Sequence, residues 1–329
     1  MKARKVTIRD VAEAAGVSTA TVSLVYNEKG KIGAETRRKV LEAGEGLGYR
    51  PGWISKVFRS GRTHVIGVAV RHGESPIWEQ TYLPYYRGII AGAALEALRH
   101  GYSIAAIRAD ESGQLDEPIP FDGLIVVDPS PADPIIRRAL EQGRAVVADG
   151  GYDDATPGVR LRSVRPALEE GIPTALDVLA RQGSTRPAFF RGEADDEYTT
   201  SSQQAYENWC MHRSIEPNVY VLANGRSPIE GARELIGGDR GAVDGVHCLN
   251  ATYSSAITEA AAEAGLGVPD DLAVSVVGEA DAATDPRIVY LDLDPIEVGA
   301  QCARTLIRLL EGEEPVDVVL PMKLTVPGA

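Results

Sequence analysis

Short apolar runs recur along most of the chain, and stretches with helical periodicity separate them. The first run is Val65–Val70, a helical stretch follows at 87–100, and a second run lies at 102–107. Continuous apolar strands that alternate with helices are typical of parallel sheets covered by helices on both faces. The sequence therefore predicts an α/β core of two doubly wound parallel-sheet subdomains, with a ligand cleft between them at the carboxyl ends of the strands. Further runs lie at 124–127, 145–148, 188–190, 246–249 and 272–277.

Charge is divided unevenly along the chain. Residues 1–62 hold thirteen Lys and Arg against six Asp and Glu, a charge of +7, whereas residues 63–329 hold twenty-one against forty-one, a charge of −20. Phosphate binding requires cations that are clustered locally, and a basic average over the chain is not needed. The basic module indicates nucleic-acid binding, with a solvated basic tail as the alternative.

Composition and the N-terminal sequence argue against membrane and secreted classes. No apolar run approaches the roughly 18–20 residues of a membrane span. Arg9, Asp10 and Glu13 interrupt any apolar segment of a signal peptide. The three cysteines show no C-x-x-C spacing, which suits a reducing compartment and provides no zinc framework. We therefore predict a cytoplasmic protein with no membrane partner.

The first fifty residues have helical periodicity broken by turns. Thr7 and Asp10 have the spacing of an N-cap and an acid at N3, and Gly16 supplies the left-handed residue that ends this first helix. Ser18 then caps a second helix at 19–26. Two short helices on so tight a turn cross steeply, which is the geometry of a helix-turn-helix whose second helix enters the major groove. The apolar positions of the first helix are Ile8, Val11, Ala12 and Ala15.

A third helix is predicted from Ala34 to Leu47. Val40, Leu41 and Leu47 are expected to face inward, and the basic triplet at 37–39 is expected to reach solvent or phosphate. A Tyr-Arg-Pro sequence ends this helix. The N-terminal module is thus an all-α bundle of three helices.

These residues resemble the lactose-repressor (LacI/GalR) family of bacterial transcription regulators. The resemblance is carried by VTIRDVAEAAGVSTATVSLVYNEKGKIGAETRRKVLEAGEGLGYRP at 6–51 and SGRTHVIGVAV at 60–70, and it continues more weakly to the C-terminus. It implies a helix-turn-helix headpiece at 1–51, a hinge helix or linker at 52–62, and an effector-binding and dimerisation core at 63–329.

The resemblance also implies how this core is divided. It resembles periplasmic sugar-binding proteins of type I, with an N-subdomain at 63–162 plus 292–329 and a C-subdomain at 163–291. Between Arg108 and Phe121 only about a dozen residues remain where the family usually has another helix. One edge of the first sheet is therefore expected to lack this helix.

Alignment with the family places Thr19 and Ala20 at the leading positions of the recognition helix. Leu24 stands where most members carry an Arg that reads guanine, and Leu offers only apolar contact, for instance to a thymine methyl. Ala20 and Leu24 share a face opposite Val22 and Val25, which favours a DNA-facing Leu24 over a fourth core contact. Candidate phosphate ligands or caps, which fix register without choosing sequence, are Thr7, Ser18, Thr21, Ser23, Asn27 and Tyr49.

Residues 52–59 occupy the position of the family's hinge. In the family this segment folds on the operator, and a Leu wedged into the central minor-groove step kinks the duplex. Phe58 has the wedge position here, with packing on the core as the alternative. Gly52 and Trp53 replace the family's usual Asn and Ala, and Ser55 is a further DNA-binding candidate.

A search for catalytic or metal sites is negative, so the chain is interpreted as neither an enzyme nor a cofactor or metal protein. Strand alternation directs His247 and Cys248 to opposite faces. The acidic triplet at 195–197 is interpreted as a solvated loop, with a cation site as the alternative. Residues 44–48 are glycine-rich but lie at the end of a helix and not between a strand and a helix, so they form no dinucleotide fingerprint. The sequence contains no nucleophile elbow and no P-loop.

The resemblance implies an effector site that lacks several of the side chains that bind sugar hydroxyls in the family. Ala167 and Leu168 stand where the family commonly has Asp-Asn, Ser202 where it has Arg, and Ala251 and Ala280 where it has acids. We therefore expect an effector that is not a simple sugar held in the usual way. A less hydroxylated or charged metabolite and a vestigial pocket are the two alternatives.

Nine residues remain candidates for this site, and each has a purely structural role as its alternative. Arg71 or His72 would be the partner of an anionic effector, and Tyr82 stands where family members often stack an aromatic ring on the ligand. The candidates are Arg71, His72, Trp78, Glu79, Tyr82, Asp149, Ser202, Asn250 and Asp281.

The leading hypothesis is a sequence-specific DNA-binding transcription regulator, with repression as the expected mode. Double-stranded DNA with a palindromic operator, a small-molecule effector and a second copy of the chain are the expected partners. A solute-binding protein of a transport system would share the core but needs export. A regulator that acts without an effector is the remaining alternative.

Overall fold

The computed structural model describes residues 6–26, 30–49, 62–71, 84–110, 112–116, 119–152, 160–238, 243–278 and 285–327. The chain forms two compact units, Met1–His64 and Val65–Ala329, which we call the headpiece and the core. Within these described ranges, no helix has both the length and the hydrophobicity that crossing a bilayer requires.

The headpiece is a bundle of three helices, as the sequence predicts. They are α1 (Ile8–Ala15), α2 (Thr19–Tyr26) and α3 (Ala34–Gly46). Their apolar faces meet in one small core, which burial from water stabilises. The fully buried members are Val11, Ala12, Val22, Val25 and Val40.

Leu41 in α3 and Leu47 just after it do not face inward, so the prediction that both are core residues is wrong. Leu41 is 44% exposed and Leu47 is 40% exposed. Val40 and Gly44, one helical turn apart, form the buried stripe of α3, and Leu41 lies about 100° around the helix from Val40. Leu47 follows the last helical residue, where the chain has left the stripe.

The core contains fourteen strands and seven helices in its described residues. The strands are β1 (Val65–Val70), β2 (Ser103–Ala106), β3 (Arg108–Ala109), β4 (Leu115–Asp116), β5 (Gly123–Val127), β6 (Ala145–Asp149), β7 (Leu161–Pro166), β8 (Pro187–Gly192), β9 (Asn218–Leu222), β10 (Gly245–Cys248), β11 (Ala273–Gly278), β12 (Val289–Asp292), β13 (Val318–Leu320) and β14 (Lys323–Thr325). The helices are α4 (Pro84–Arg99), α5 (Pro134–Glu141), α6 (Leu168–Arg181), α7 (Glu197–His212), α8 (Pro228–Gly237), α9 (Ala251–Glu263) and α10 (Pro295–Glu311).

The first sheet has the order β2-β1-β5-β6-β7-β13, and all its pairs are parallel. Helices α4 and α10 pack together on one face and α5 covers the other. Every residue of β5 and β6 is buried, as expected of central strands in a sheet covered on both faces.

The second sheet has the order β9-β8-β10-β11-β12-β14, in which only β14 is antiparallel. Helices α6 and α7 pack on one face, and α8 and α9 on the other. Neighbouring residues of β10 point to opposite faces of this sheet. His247 stacks on Phe189, whereas Cys248 packs with Phe190 in the cluster on the other face. The predicted alternation at His247 and Cys248 is therefore confirmed.

The chain passes between the two sheets three times. It leaves the first sheet after β7 to form α6, returns after β12 to form α10, and leaves again between β13 and β14. The first two crossings lie near the positions that the resemblance implies. The third was not expected, because β14 pairs with β12 although 292–329 was assigned as a whole to the first subdomain.

A short hairpin, β3–β4, occupies the segment where the family usually has another helix. Arg138 of α5 anchors it, with Nε 3.0 Å from the Ser112 carbonyl oxygen and Nη1 2.8 Å from Gln114 Oε1. Strand β2 is the end strand of the first sheet. The described residues between Arg108 and Phe121 form this hairpin and no helix, as the length of the segment led us to expect.

Candidate functional site

Helix α2 presents a solvent-facing side formed by Thr19, Ala20 and Leu24. Thr19 and Ala20 are exposed, and Leu24 is 37% exposed. Val22 and Val25 lie on the opposite side in the headpiece core. Leu24 therefore belongs to the solvent-facing side and is not a fourth core contact, which leaves it free to meet a ligand.

Hydroxyl groups cap the first two helices. The Asp10 carboxylate accepts hydrogen bonds of 2.7 Å from both the Thr7 amide and the Thr7 hydroxyl. The Ser18 Oγ accepts the Thr21 amide at 3.0 Å and lies 3.0 Å from Thr21 Oγ1. Gly16 has a φ of 66°, the left-handed conformation that brings α2 back across α1. The predicted caps are present, and phosphate contacts by the same side chains stay a prediction.

The other DNA-contact candidates are distributed differently. Tyr49 packs edge-on against Tyr26 with ring centroids 5.4 Å apart, and burial raises the pKa of both phenols. Ser23 is half-buried on α2. Asn27, Ser55 and Phe58 lie outside the described residues, so their predicted DNA contacts are not addressed.

The exposed cations of α3 form ion pairs within the helix. Arg38 lies 3.0 Å from Glu42 and Lys39 lies 3.1 Å from Glu35, each at i,i+4 spacing. Exposed pairs of this kind contribute only about 0.3–0.5 kcal/mol. Exchange of these carboxylates for a phosphate is therefore energetically easy.

In the core, the strand register places two carboxylates side by side. Val127 pairs with Asp149 across β5 and β6, so Asp128, the next residue, lies beside Asp149 at the carboxyl edge of the first sheet. Asp149 is only 2% exposed, and Asp128 is half-buried with a positive φ of 58°.

Each carboxylate of this pair is held by a tyrosine from the start of α4. The Tyr85 hydroxyl donates to Asp149 at 2.9 Å, and the Tyr86 hydroxyl donates to Asp128 at 2.5 Å. Burial, aided by the nearby charge of Asp128, raises the pKa of Asp149 to about 8. Burial, aided by the charge of Asp196, raises the pKa of Asp128 to about 7. The tyrosine hydrogen bonds oppose these increases only in part.

The first turn of α7 faces this pair from the second subdomain. Asp196 caps the helix by accepting the Thr199 amide at 2.7 Å, and Glu197 accepts the Ser201 hydroxyl at 2.6 Å. Glu197 lies so close to the backbone of Gly151 that a Cβ there would be 2.8 Å from its Oε1. Asp195 is an exposed loop residue, as expected, whereas Asp196 and Glu197 are half-buried at the start of a helix and do not belong to a solvated loop.

A cavity of about 20 Å³ remains between the subdomains, which is room for about one water molecule. Its one described cation is Arg165, whose guanidinium binds both oxygens of Glu169 at 2.7 and 2.8 Å. The lining consists of Tyr85, Asp128, Asp149, Gly150, Gly151, Arg165, Pro166, Leu168, Glu197, Tyr198 and Ser201.

Four predicted effector residues fall within the described ranges, and among them Asp149 lines the cavity. Arg71 is engaged elsewhere, with Nε 3.4 Å from Asp133 Oδ2. Ser202 is fully buried and its Oγ has no hydrogen-bond partner, while its neighbour Ser201 lines the cavity. Asn250 caps α9 by accepting the Tyr253 amide at 3.1 Å. His72, Trp78, Glu79, Tyr82 and Asp281 lie outside the described residues.

Several lining residues were not anticipated from the sequence. Asp128 directly follows the apolar run 124–127, so the strand-end rule applied to that run would have found it. Tyr85 carries no comparable pattern, and Glu197 was noted only as part of the acidic triplet, because the tertiary fold alone brings both to the strand ends.

Two family descriptions match the chain. Residues 7–52 match the bacterial regulatory proteins of the lacI family, and residues 176–327 match a periplasmic binding protein-like domain. Among similar proteins, the HTH-type transcriptional regulator RegA of Clostridium saccharobutylicum is 26% identical over 93% of both chains. The HTH-type transcriptional regulator CelR of Thermobifida fusca is 26% identical over 98% of both.

Solved structures share the fold over nearly the whole chain. The Lac repressor dimer bound to operator and the anti-inducer ONPF has a TM-score of 0.80 at 21% identity, covering 98% of both chains. A CelR-cellobiose complex has a TM-score of 0.68 at 23% identity, covering 98% of this chain and 99% of the other. Together with the helix-turn-helix and the two-sheet core, these matches identify a DNA-binding domain of the lacI family joined to a periplasmic binding protein-like domain, in a chain that is similar over nearly its whole length to HTH-type transcriptional regulators.

Proposed function

We propose that the protein is a repressor that binds a palindromic operator as a dimer, with one headpiece in the major groove of each half-site. The observation that carries this proposal is the solvent-facing side of α2, where Thr19, Ala20 and Leu24 stand clear of the headpiece core. A second helix with a free face and an N-terminus capped by hydroxyls suits insertion into the groove. The proposed compartment is the cytoplasm, where genomic DNA is accessible.

The operator proposal is tested by selecting bound sequences from random DNA with the purified full chain. We expect an inverted repeat of roughly 14–20 base pairs, whose affinity falls steeply with salt because phosphate contacts release counterions. DNA with one half-site scrambled is the control and should bind far more weakly. Recovery of no inverted repeat, or affinity that does not change with salt, would contradict the proposal.

An apolar stripe on α4 supports the dimer. Leu95 and Leu98 are 56% and 64% exposed, and Ala91 is exposed one turn before Leu95. Large apolar side chains that share one helix face in this way are typical of an interface. A second copy of the chain is the proposed occupant, because a palindrome needs two headpieces related by a two-fold axis.

Analytical ultracentrifugation tests this interface. Leu95→Asp and Leu98→Asp should shift the full chain from dimer to monomer and weaken operator binding. Met211→Asp, at an exposed apolar residue of α7 in the other subdomain, is the matched control and should leave the dimer intact. Equal behaviour of all three variants would show that the dimer forms elsewhere.

We propose further that a small molecule in the cleft controls operator binding, and that it is not a sugar held in the family's usual way. Leu168 contributes an apolar wall to the cavity, and the Ser202 hydroxyl is buried outside the lining. The pairing of Arg71 with Asp133 and the presence of Asp128 and Asp149 favour a neutral effector over an anionic one. Because the cavity holds about one water molecule, the cleft must open to admit an effector.

Thermal-shift measurements test this point. Glucose, maltose, sucrose and cellobiose should not raise the melting temperature, because each sugar hydroxyl left without a partner costs about 1–3 kcal/mol. Micromolar binding of any of them, with release of operator, would overturn the effector proposal while leaving the operator proposal intact.

A further inference from the structure

Acidic side chains from both subdomains meet at the same cavity. Asp128 and Asp149 of the first sheet and Glu197 of α7 line it, and Asp196, the N-cap of α7, lies close enough for its charge to act on Asp128. None of these four carboxylates forms a salt bridge with a residue in the described part of the chain. We propose that cleft closure is linked to proton uptake: the subdomains close when the Asp128–Asp149 pair holds a proton and separate when both carboxyls ionise.

The geometry of the pair makes full ionisation unfavourable in the closed form. The two carboxyls are neighbours in the β5–β6 register, and the hydrogen bonds that they receive there come from the neutral hydroxyls of Tyr85 and Tyr86. A tyrosine hydroxyl supplies one hydrogen bond and no positive charge. Like charges on neighbouring buried carboxyls repel when water is excluded.

In the described residues, the elements packed around the pair add negative or neutral groups and two cations, Arg165 and Arg71, each of which is paired with an acid outside the pair. Helix α7 contributes Asp196, Glu197 and Tyr198, and α10 contributes the buried thiol of Cys302 near Asp149. Arg165 of β7 binds Glu169. Arg71, whose amide donates to the Val127 carbonyl next to Asp128, pairs with the buried Asp133. In the described lining, closure therefore brings acids together without a free cation.

The cavity favours a proton over a larger cation. With about 20 Å³ it holds about one water molecule, which is too little for an amine-bearing metabolite, and the described residues contain no group of three or more side chains arranged to hold a metal ion. The direction of the pKa values agrees: closure buries carboxyls whose pKa lies near 7 and 8 in the closed form, whereas an open, hydrated cleft returns them toward about 4. Between about pH 4 and pH 8, closure is therefore accompanied by proton uptake. Rising pH then favours opening.

Distances between spin labels on the two subdomains measure closure directly. Arg137→Cys on α5 and Gln204→Cys on α7 place labels at exposed positions, and the three native cysteines are buried, which limits background labelling. In the full chain the ratio of closed to open populations should fall at least tenfold between pH 6 and pH 9. Each pKa unit between the two forms accounts for a factor of ten. The unlabelled variants, each with one added cysteine, report any loss of fold.

Isosteric variants show which carboxyls cause the pH dependence of closure. Asp149→Asn and Asp128→Asn should each keep the cleft closed at pH 9, and together they should abolish the pH dependence. Glu197→Gln removes a facing charge without touching the pair, so it should raise the closed fraction at pH 9 even if Asp149→Asn folds poorly. Asp270→Asn, at an exposed acid remote from the cleft, should behave as the wild type.

Two results would overturn the proposal. One is a closed fraction in the wild type that does not change with pH, and the other is a pH response that persists in the double variant. The distance measurement needs neither DNA nor effector, so its outcome is separate from that of the operator and effector tests.

Discussion

Tyr26 and Gly44 are in direct contact: a Cβ atom at position 44 would overlap the Tyr26 hydroxyl oxygen. Helix α3 can therefore approach α2 only with glycine at this position. The ring of Tyr26 in turn packs edge-on against Tyr49. The absence of a Cβ atom at Gly44 thus determines how closely α3 packs against α2, the helix that carries Ala20 and Leu24.

We expect Gly44→Ala to destabilise the headpiece by about 1–3 kcal/mol, because overpacking forces Tyr26 out of its position. Operator affinity should fall with it, while the melting transition of the core stays unchanged. Calorimetry and DNA titration measure both effects. Gly46→Ala is the matched control, since its Cβ would meet no atom within 4 Å, and a neutral or slightly stabilising effect is expected there.

Leu24→Arg should move the selected operator toward guanine at one symmetric pair of positions. A bidentate Arg–guanine contact is worth roughly 1–3 kcal/mol of discrimination, and the exposed position of Leu24 leaves room for it. Repeating the sequence selection checks this. Leu41→Arg adds the same charge at an exposed site of α3 and should strengthen binding without changing the motif. An unchanged motif in Leu24→Arg would show that residue 24 does not meet the bases.

Asp149→Asn should stabilise the core at alkaline pH. Burial, together with the charge of Asp128, raises the pKa of Asp149 to about 8 in the folded chain, against about 4 when unfolded. The folded chain keeps a proton that the unfolded chain has lost, so the free energy of unfolding falls as pH rises from about 4 to about 8. Each pKa unit corresponds to about 1.4 kcal/mol. Chemical denaturation at pH 5.5 and 8.5 should show a smaller difference in the variant; an equal difference would contradict the assignment.

Glu96→Gln should destabilise the α4–α10 pair by about 1–3 kcal/mol. Glu96 is 4% exposed and lies 3.1 Å from both Arg304 and Arg99. The hydrogen bond from Arg304 lowers the pKa of Glu96, so this stabilisation is present above the ordinary Glu pKa and is lost as pH falls through the lowered value. Glu313→Gln removes an exposed partner of Arg308 and should change stability by less than about 1 kcal/mol.

The sequence predicted the central strands well because burial on both faces leaves an uninterrupted apolar run. Strand β9 was missed because most of its residues are only half-buried, and β13 and β14 have three residues each, too few to show a period. The prediction that Leu41 faces inward was wrong for a related reason. Amphipathic periodicity fixes a helix face only to within one residue, and the close contact at Gly44 decided which residue it was.

The cleft was harder to predict than the fold. Asp149 was found because it ends an apolar run, and the same rule would have found Asp128. Alignment to the family selected Ser202, whereas the side chain that lines the cavity is Ser201, one residue away on α7. Such a shift rotates a helical side chain by about 100°, and a sequence alignment carries no information about that rotation.

The three crossings between the sheets limit how the core can move. A single connection would let the second subdomain swing in any direction, and two would still permit rotation about the line that joins them. Three chain segments, after β7, after β12 and between β13 and β14, join the two sheets, so a change in the width of the cleft must bend all three together. A proton and an effector that both act on this width would therefore compete for or reinforce the same displacement.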